Sequence, residues 1–119
     1  MPVTRLFEHA ADAKDVAAGT TIFSAGDAPD FLYVVLEGQV DLIINGNLVE
    51  TVEKGGIFGE MALIDHSPRS ATVVAATDAT VVPVGEKQFL FLVSRTPHFA
   101  LNVMRVLAQR LRVANSVVY

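Results

Sequence analysis

The stretch from Phe58 to Thr72, FGEMALIDHSPRSAT, brings together residue types suited to a ligand that carries both a phosphate and hydroxyl groups. Gly59 lacks a Cβ atom, so neighbouring backbone amides can approach a ligand closely. Glu60 begins a short helical turn, where free N–H groups and partial positive charge suit a phosphate. The carboxylate of Glu60 would repel that phosphate, so we expect it to accept hydrogen bonds from ligand hydroxyls instead.

Arg69 supplies the cation of this stretch, nine residues after Glu60. A guanidinium matches two phosphate oxygens at once, which a lysine ammonium cannot do. Pro68 stiffens the approach to Arg69, and Ser70 adds a hydroxyl that can donate to the phosphate. The stretch therefore predicts a binding site for a phosphorylated, hydroxyl-bearing ligand.

The composition predicts one domain over residues 1–119, because a chain of this length with 51% apolar residues can bury a core. A net charge of −4, with only nine Lys and Arg, argues against nucleic acid or an anionic membrane as the main partner. We therefore expect no DNA binding by this chain alone. The absence of cysteine excludes disulfides and thiolate chemistry.

The N-terminus carries charged residues where a secretory signal needs an apolar core, and no apolar run is long enough to span a membrane. A cytoplasmic domain is expected.

Asp65, His66 and Ser67 are the residue types of a catalytic Ser-His-Asp triad. Because they are adjacent in sequence, their side chains cannot point at one another as a proton relay requires. A cupin-like metal enzyme needs clustered histidines, whereas His9, His66 and His98 lie far apart. We expect no catalytic residue, metal site or cofactor.

Hydrophobic spacing divides the chain into three segments. Residues 1–17 predict a short N-terminal helix, from Thr4 to Val16, because apolar residues recur at spacings of three and four. Residues 20–85 predict short strands around turns, including an Asn45-Gly46 hairpin. Such strands at regular spacing indicate a sandwich or barrel, so the fold class is mainly β.

Residues 86–119 predict C-terminal helices. Glu86 to Ser94 is helix-like, and Thr96-Pro97 predicts the start of a long helix that continues to about Ser116. Along that helix a heptad seam recurs at Ala100, Met104, Leu107, Leu111, Ala114 and Val118. The seam can pack on the chain's own barrel or on a second copy, and further apolar residues beside it favour a homodimer.

The stretch resembles the phosphate-binding cassette of the cyclic nucleotide-binding domain family, which includes regulatory subunits of cyclic AMP-dependent protein kinase and bacterial catabolite activator proteins. That cassette reads approximately F-G-E-L-A-L, a short loop, then P-R-x-A-T, and residues 58–72, called the cassette below, match it. The resemblance extends upstream through residues 31–40 and covers nearly the whole chain. Gly59, Glu60 or Arg69 alone has an ordinary structural explanation, but their order and spacing favour binding.

The resemblance implies a β-roll or jelly-roll barrel of about eight strands with flanking helices. It also implies that Glu60 holds the ribose 2′-hydroxyl, that Arg69 holds the cyclic phosphate, and that the last helix lies over the base. The ligand-binding residues implied in this way, together with a candidate base contact in the last helix, are Gly59, Glu60, Met61, Ala62, Arg69, Ser70, Ala71 and Asn115.

The resemblance further implies a cyclic AMP sensor. Cyclic GMP is the alternative ligand, because serine at position 70 does not decide which base is preferred. Ala114-Asn115 stands where catabolite activators have a Thr-Ser pair that reaches adenine. Movement of the C-terminal helices around a hinge near residues 86–97 would signal to an unidentified effector protein. Two readings of the chain stay open, a stand-alone sensor and a piece of a larger regulator or channel. A dimerisation module that binds no ligand is the alternative function.

Overall fold

A computed structural model describes the backbone of residues 6–118 and the side chains of residues 6–113. Within that range the chain forms eight strands in two antiparallel sheets of four, which confirms the mainly β class. The sheet orders are β1-β8-β3-β6 and β2-β7-β4-β5. The strands are β1 (Lys14–Val16), β2 (Thr21–Phe23), β3 (Leu32–Glu37), β4 (Val40–Ile44), β5 (Asn47–Val52), β6 (Ile57–Phe58), β7 (Thr72–Ala75) and β8 (Ala79–Val84).

The hairpin between β4 and β5 has the turn that its sequence predicts. Asn45 and Gly46 have φ values of 52° and 78°, so both central residues are left-handed, as a two-residue turn of type I′ requires. Ile44 pairs with Asn47 directly across that turn. The prediction of a hairpin at Asn45-Gly46 is confirmed.

The core lies between the two sheets, because both contribute to one cluster of buried side chains. Tyr33 of β3 and Phe58 of β6 stack with ring centroids 5.1 Å apart and planes 8° apart. Phe23 of β2, in the other sheet, meets both rings at about 6 Å (6.0 and 5.9 Å). These aromatic rings pack directly beneath the start of the cassette, since Phe58 is its first residue.

The predicted N-terminal helix is wrong in its extent. Leu6 and Phe7 are helical, but Lys14–Val16 is strand β1, paired antiparallel with β8. Pairing with β8 gives the backbone N–H and C=O groups of β1 hydrogen-bond partners, and Val16 packs against the core cluster. An isolated short helix is only marginally stable in water, so these contacts favour the strand. Thr80 also donates a hydrogen bond of 2.8 Å to Asp15, which holds the edge strand in register.

Three helices follow or interrupt the strands: α1 (Met61–Ile64), α2 (Glu86–Arg95) and α3 (Pro97–Val118). The predicted long helix beginning at Pro97 is confirmed, and the Phe99 amide donates to the Thr96 carbonyl at 2.9 Å in its first turn. Internal contacts group the chain into two compact units, one ending at Glu86 and the other beginning at Lys87. In the second unit, Phe89 and Phe99 meet edge to face at 5.8 Å and so connect α2 with α3.

The predicted heptad seam of α3 is partly exposed. Met104 and Leu111 have 57% and 62% of their surface exposed, whereas Ala100 and Leu107 are half-buried. The side chains of Ala114 and Val118 lie outside the described residues. Through residue 118, no helix is long and apolar enough to cross a membrane.

Candidate functional site

Arg69 is held at the centre of the site by its own backbone. Its amide donates to the Asp27 carbonyl at 2.9 Å, and its carbonyl accepts from the Gly26 amide at 2.8 Å. The β2–β3 connection is therefore paired with the chain that enters β7. The Ala25 amide continues this pairing by donating to the Thr72 hydroxyl at 3.0 Å.

The Arg69 side chain points into the protein and is only 3% exposed. Its Nη1 donates to the Gly59 carbonyl at 3.1 Å, and its Nη2 donates to the Phe31 carbonyl at 2.6 Å. Nη2 also forms an ion pair of 3.2 Å with Asp30, whose side chain is 60% exposed. The buried Nε has no hydrogen-bond partner within the described part of the chain. Nε is thus a buried nitrogen of the guanidinium that no acceptor in the described residues satisfies.

Aromatic rings lie beneath that guanidinium. Its Cζ is 3.9 Å from the centroid of the Phe23 ring and 5.9 Å from that of Tyr33. Burial raises the pKa of the Tyr33 hydroxyl, the nearby Asp30 carboxylate raises it further, and the Arg69 cation opposes them. The site therefore holds a desolvated cation between an aromatic surface and a partly exposed acid.

Gly59 has φ = +74°, in the left-handed region, and lies against Arg69. A Cβ atom at this position would lie 2.7 Å from Nη1 of Arg69 and 3.2 Å from the Phe31 carbonyl oxygen. The predicted need for glycine at position 59 thus has a second cause besides ligand approach. The absent side chain leaves room for the arginine.

Glu60 and α1 follow Gly59 directly. Glu60 is 4% exposed and has helical backbone angles, and its side chain makes no capping hydrogen bond to α1. The Ala62 amide donates to the Gly59 carbonyl at 3.2 Å, which begins the helical turn. Ala62 is buried, whereas Met61 is 43% exposed. The predicted helical turn is confirmed by α1.

The loop between α1 and Arg69 is shaped by a local hydrogen bond. The Ser67 amide donates to Oδ1 of Asp65 at 3.0 Å, and this bond is the main cause that lowers the pKa of Asp65. His66, between them, has φ = +57°. Ser70 is exposed and Ala71 is buried at the entrance to β7.

The structure brings Gly59, Ala62 and Arg69 into direct hydrogen-bonded contact, with the buried Glu60 between them in sequence. Asn115, the candidate base contact, lies outside the described side chains. Sequence reasoning missed Phe23, Asp30 and the Phe31 carbonyl. Asp30 could have been predicted, because an acidic residue in the turn before β3 can be read from the sequence. The Phe31 carbonyl could not, because every residue has a main-chain carbonyl.

Two open depressions on the described part of the chain lie outside the cassette. One open depression is lined by Gly38, Gln39, Glu53, Lys54 and Thr77, and another by residues 15–17 and 78–80. Neither includes a cassette residue. In the described residues no cluster of three or more His, Asp or Glu side chains could hold a metal ion. The buried guanidinium of Arg69 marks the site.

Comparison with known proteins identifies the family to which this arrangement belongs. The family model described as "Cyclic nucleotide-binding domain" matches residues 13–96, which include both sheets and the cassette. The chain belongs to the cyclic nucleotide-binding domain family. The resemblance inferred from the cassette is thereby confirmed.

Relatives of this cyclic nucleotide-binding domain include eukaryotic and bacterial regulators. A cAMP-dependent protein kinase regulatory subunit from Mucor circinelloides is 41% identical over 73 residues, which are 61% of this chain and 17% of that protein. The catabolite activator protein of Thermus thermophilus has a TM-score of 0.79 at 31% identity, over 95% of this chain and 61% of that one.

A third similar structure is an EAL enzyme, Bd1971, known in a cGMP-bound and a cAMP-bound form. The TM-scores are 0.66 and 0.63 at 36% and 37% identity, over 88% and 87% of this chain and 29% of that enzyme in each case. The chain spans only 14% to 20% of the length of four kinase regulatory subunits that it matches.

Proposed function

We propose that this chain is a cyclic AMP sensor module that binds the nucleotide in the cassette. The observation that carries the proposal is the buried Arg69 guanidinium with an unpartnered Nε beside Gly59 and Glu60. A buried cation with a free donor is costly unless an acceptor reaches it, and a phosphate anion is a strong acceptor whose oxygens match a guanidinium.

The phosphate is bound by a change of partners at Arg69. Two of the guanidinium's acceptors are main-chain carbonyls, which are uncharged. A cyclic phosphate takes the Nε donor and competes with these carbonyls for the Nη donors, because an anionic acceptor attracts the guanidinium more strongly than an uncharged carbonyl does. The Asp30 carboxylate stays beside Nη2 and keeps the guanidinium from turning freely toward solvent.

The ribose and the phosphate are recognised by the first part of the cassette. Glu60 accepts a hydrogen bond from the ribose 2′-hydroxyl, since a carboxylate accepts from hydroxyls and would repel the phosphate. The backbone at Gly59, Met61 and Ala62 donates to the phosphate. Ser70 and Ala71 line the opposite side, the former with its hydroxyl.

Cyclic AMP is the proposed ligand and cyclic GMP the alternative. The kinase regulatory subunits named above are cAMP-dependent, whereas Bd1971 was obtained with either nucleotide bound. Ser70 does not distinguish the two bases. Asn115 is the proposed base contact, through hydrogen bonds from its amide to the base edge.

Binding is reported by the C-terminal helices. We propose a hinge at residues 86–97, a homodimer through α3, and an unidentified effector protein that responds to the movement. The module itself has no catalytic role, no cofactor and no DNA-binding surface, and it acts in the cytoplasm. The output depends on the whole protein, of which this chain can be one domain.

Calorimetric titration with a panel of cyclic mononucleotides tests the proposal. Cyclic AMP should bind and raise the melting temperature, and Arg69→Ala should weaken binding by roughly 2 to 5 kcal/mol because the phosphate charge is left unpaired. Lys54→Ala is the control, since it removes a cation paired with Glu37 outside the cassette. If neither cyclic AMP nor cyclic GMP shifts the melting temperature of the wild-type chain, the proposal is wrong.

A dimerisation module that binds no nucleotide is the second candidate, favoured by the exposed apolar residues of α3. Leu101, Met104 and Leu111 are 37%, 57% and 62% exposed. A stable dimer that gives no heat with any cyclic mononucleotide would support this candidate. A monomer at micromolar concentration by light scattering would exclude it.

A further inference from the structure

We propose that Phe23 is a positioning residue of the phosphate site, whose ring face fixes the plane of the Arg69 guanidinium. The inference rests on the proposed function and deepens it. It assigns to β2, outside the cassette, a residue on which the affinity for the cyclic phosphate depends.

The geometry of the pair is that of a cation over an aromatic face. The Cζ of Arg69 lies 3.9 Å from the Phe23 ring centroid, well inside the distance of about 6 Å at which the ring quadrupole attracts a cation. Arginine stacks in this way because its guanidinium is flat and more weakly hydrated than an ammonium. Both groups are buried, so water does not weaken the attraction.

The hydrogen bonds of Arg69 cannot replace this contact. Guanidinium N–H groups lie in the plane of the group, so the carbonyls of Gly59 and Phe31 and the carboxylate of Asp30 hold its edges. Acceptors at the edges do not support the face of the group. The Phe23 ring packs against the face and restrains its tilt.

The ring is itself held by the core. Phe23 is 9% exposed and is flanked by Tyr33 and Phe58, with centroids at 6.0 Å and 5.9 Å. Gly59 lies at the same junction, because a Cβ there would be 2.7 Å from Nη1 and 3.4 Å from Cε2 of Phe23. The guanidinium therefore meets a fixed aromatic surface where the cassette begins.

The consequence concerns Nε, the guanidinium nitrogen that has no hydrogen-bond partner among the described residues. Nε lies in the same plane as Nη1 and Nη2, so the tilt that Phe23 sets also sets the direction of the Nε–H bond. A leucine at position 23 fills much of the same volume but has no quadrupole. Such a side chain leaves the core packed while the guanidinium loses its flat support.

Calorimetry with cyclic AMP on matched variants tests the inference. Phe23→Leu should lower the affinity about 3- to 30-fold, the range expected for a lost cation–π contact, whereas Phe23→Tyr should stay within about threefold of wild type. Phe7→Leu is the matched control, because it makes the same change to a buried ring outside the core cluster that contains Phe23. Its affinity should equal that of wild type.

A second readout reports the position of Arg69 without any ligand. The Arg69 Nε–H proton should be shifted upfield in NMR spectra by the Phe23 ring current. The ¹⁵N order parameter of the Nε–H bond should be as high in Phe7→Leu and Phe23→Tyr as in wild type and should fall in Phe23→Leu. Phe23→Met replaces the leucine variant if the latter does not fold. A purely structural role of Phe23 would lower stability without changing this order parameter.

The two proposals fail in different ways. A wild-type chain that binds no cyclic nucleotide overturns the proposed function, and the Nε–H order parameters of wild type and Phe23→Leu then still decide whether Phe23 orients Arg69. An unshifted Nε–H proton in wild type overturns the inference. So does a loss of affinity that is equal in Phe23→Leu and Phe7→Leu, or a Phe23→Leu variant that binds cyclic AMP as wild type does.

Discussion

Gly59 and Arg69 are ten residues apart in the sequence, and Nη1 of the arginine donates to the carbonyl of the glycine at 3.1 Å. The same carbonyl accepts the Ala62 amide at 3.2 Å in the first turn of α1. One acceptor therefore joins the cation to the helical turn that follows. If the proposed phosphate draws Nη1 away, this carbonyl keeps only the Ala62 amide as a donor. We therefore expect ligand binding to be coupled to the geometry of α1.

Gly59→Ala should destabilise the protein by more than backbone strain alone accounts for. The left-handed φ of +74° costs an alanine about 1 to 2 kcal/mol. The new Cβ would also lie 2.7 Å from Nη1 of Arg69, so the guanidinium must move. Both unfolding free energy and cyclic AMP affinity should fall, as measured by chemical denaturation and calorimetry.

Gly46→Ala is the control for this variant. Gly46 has a similar φ of +78°, but nothing lies within 4 Å of a Cβ built there. Its stability loss measures strain alone, and its affinity for the nucleotide should not change. Equal losses of stability in the two variants, with affinity intact in both, would show that the arginine is not crowded by position 59.

Local signals in the sequence predicted the parts of this fold that neighbouring residues determine. Asn45-Gly46 gave the hairpin and Thr96-Pro97 gave the start of α3, because turn and cap preferences act over a few residues. Gly59 and Arg69 were found because their types and spacing fall within one short stretch. Their hydrogen bond was not foreseen.

Long-range contacts explain what the sequence did not predict. The Arg69 bond to the Phe31 carbonyl joins residues 38 apart, and a main-chain acceptor has no sequence signature. β1 was taken for a helix because its partner, β8, lies more than sixty residues away. Phe23 looked like an ordinary strand residue, and only its place under the guanidinium distinguishes it.

Asp30→Asn should lower the free energy of unfolding by more than Glu37→Gln does. The two acids are otherwise similar: each forms an ion pair of 3.2 Å, and the side chains of Asp30 and Glu37 are 60% and 67% exposed. The difference lies in the cations, since Arg69 is 3% exposed and Lys54 60%. We expect about 1 kcal/mol for Asp30→Asn, discounted for the exposure of the acid, and less than about 0.5 for Glu37→Gln. Urea denaturation measures both. Equal costs would mean that the carbonyls of Gly59 and Phe31 suffice for the buried cation.

Asp65→Asn should remove a pH-dependent contribution from the cassette loop. The Ser67 amide lowers the pKa of Asp65 in the folded protein, so the charged carboxylate is stabilising above the unfolded pKa, about 4. This contribution is lost as the pH falls through the folded value. Asparagine keeps an oxygen acceptor but does not titrate. In urea denaturation from pH 7 to acid, wild type should lose its advantage over Asp65→Asn below about pH 4, whereas parallel curves would contradict this assignment.

Leu111→Glu should convert the proposed homodimer into monomers, because a carboxylate in a heptad seam would be buried against its equivalent on the second copy. Leu111 is 62% exposed in the single chain, so the change should leave the stability of the monomer nearly unaltered. Leu48→Glu is the matched control, since Leu48 lies on β5 and is 61% exposed. Light scattering at micromolar concentration should give a monomer for Leu111→Glu and a dimer for Leu48→Glu and wild type. A wild-type monomer would overturn the proposed homodimer, and dissociation by Leu48→Glu instead would place the contact elsewhere than on α3.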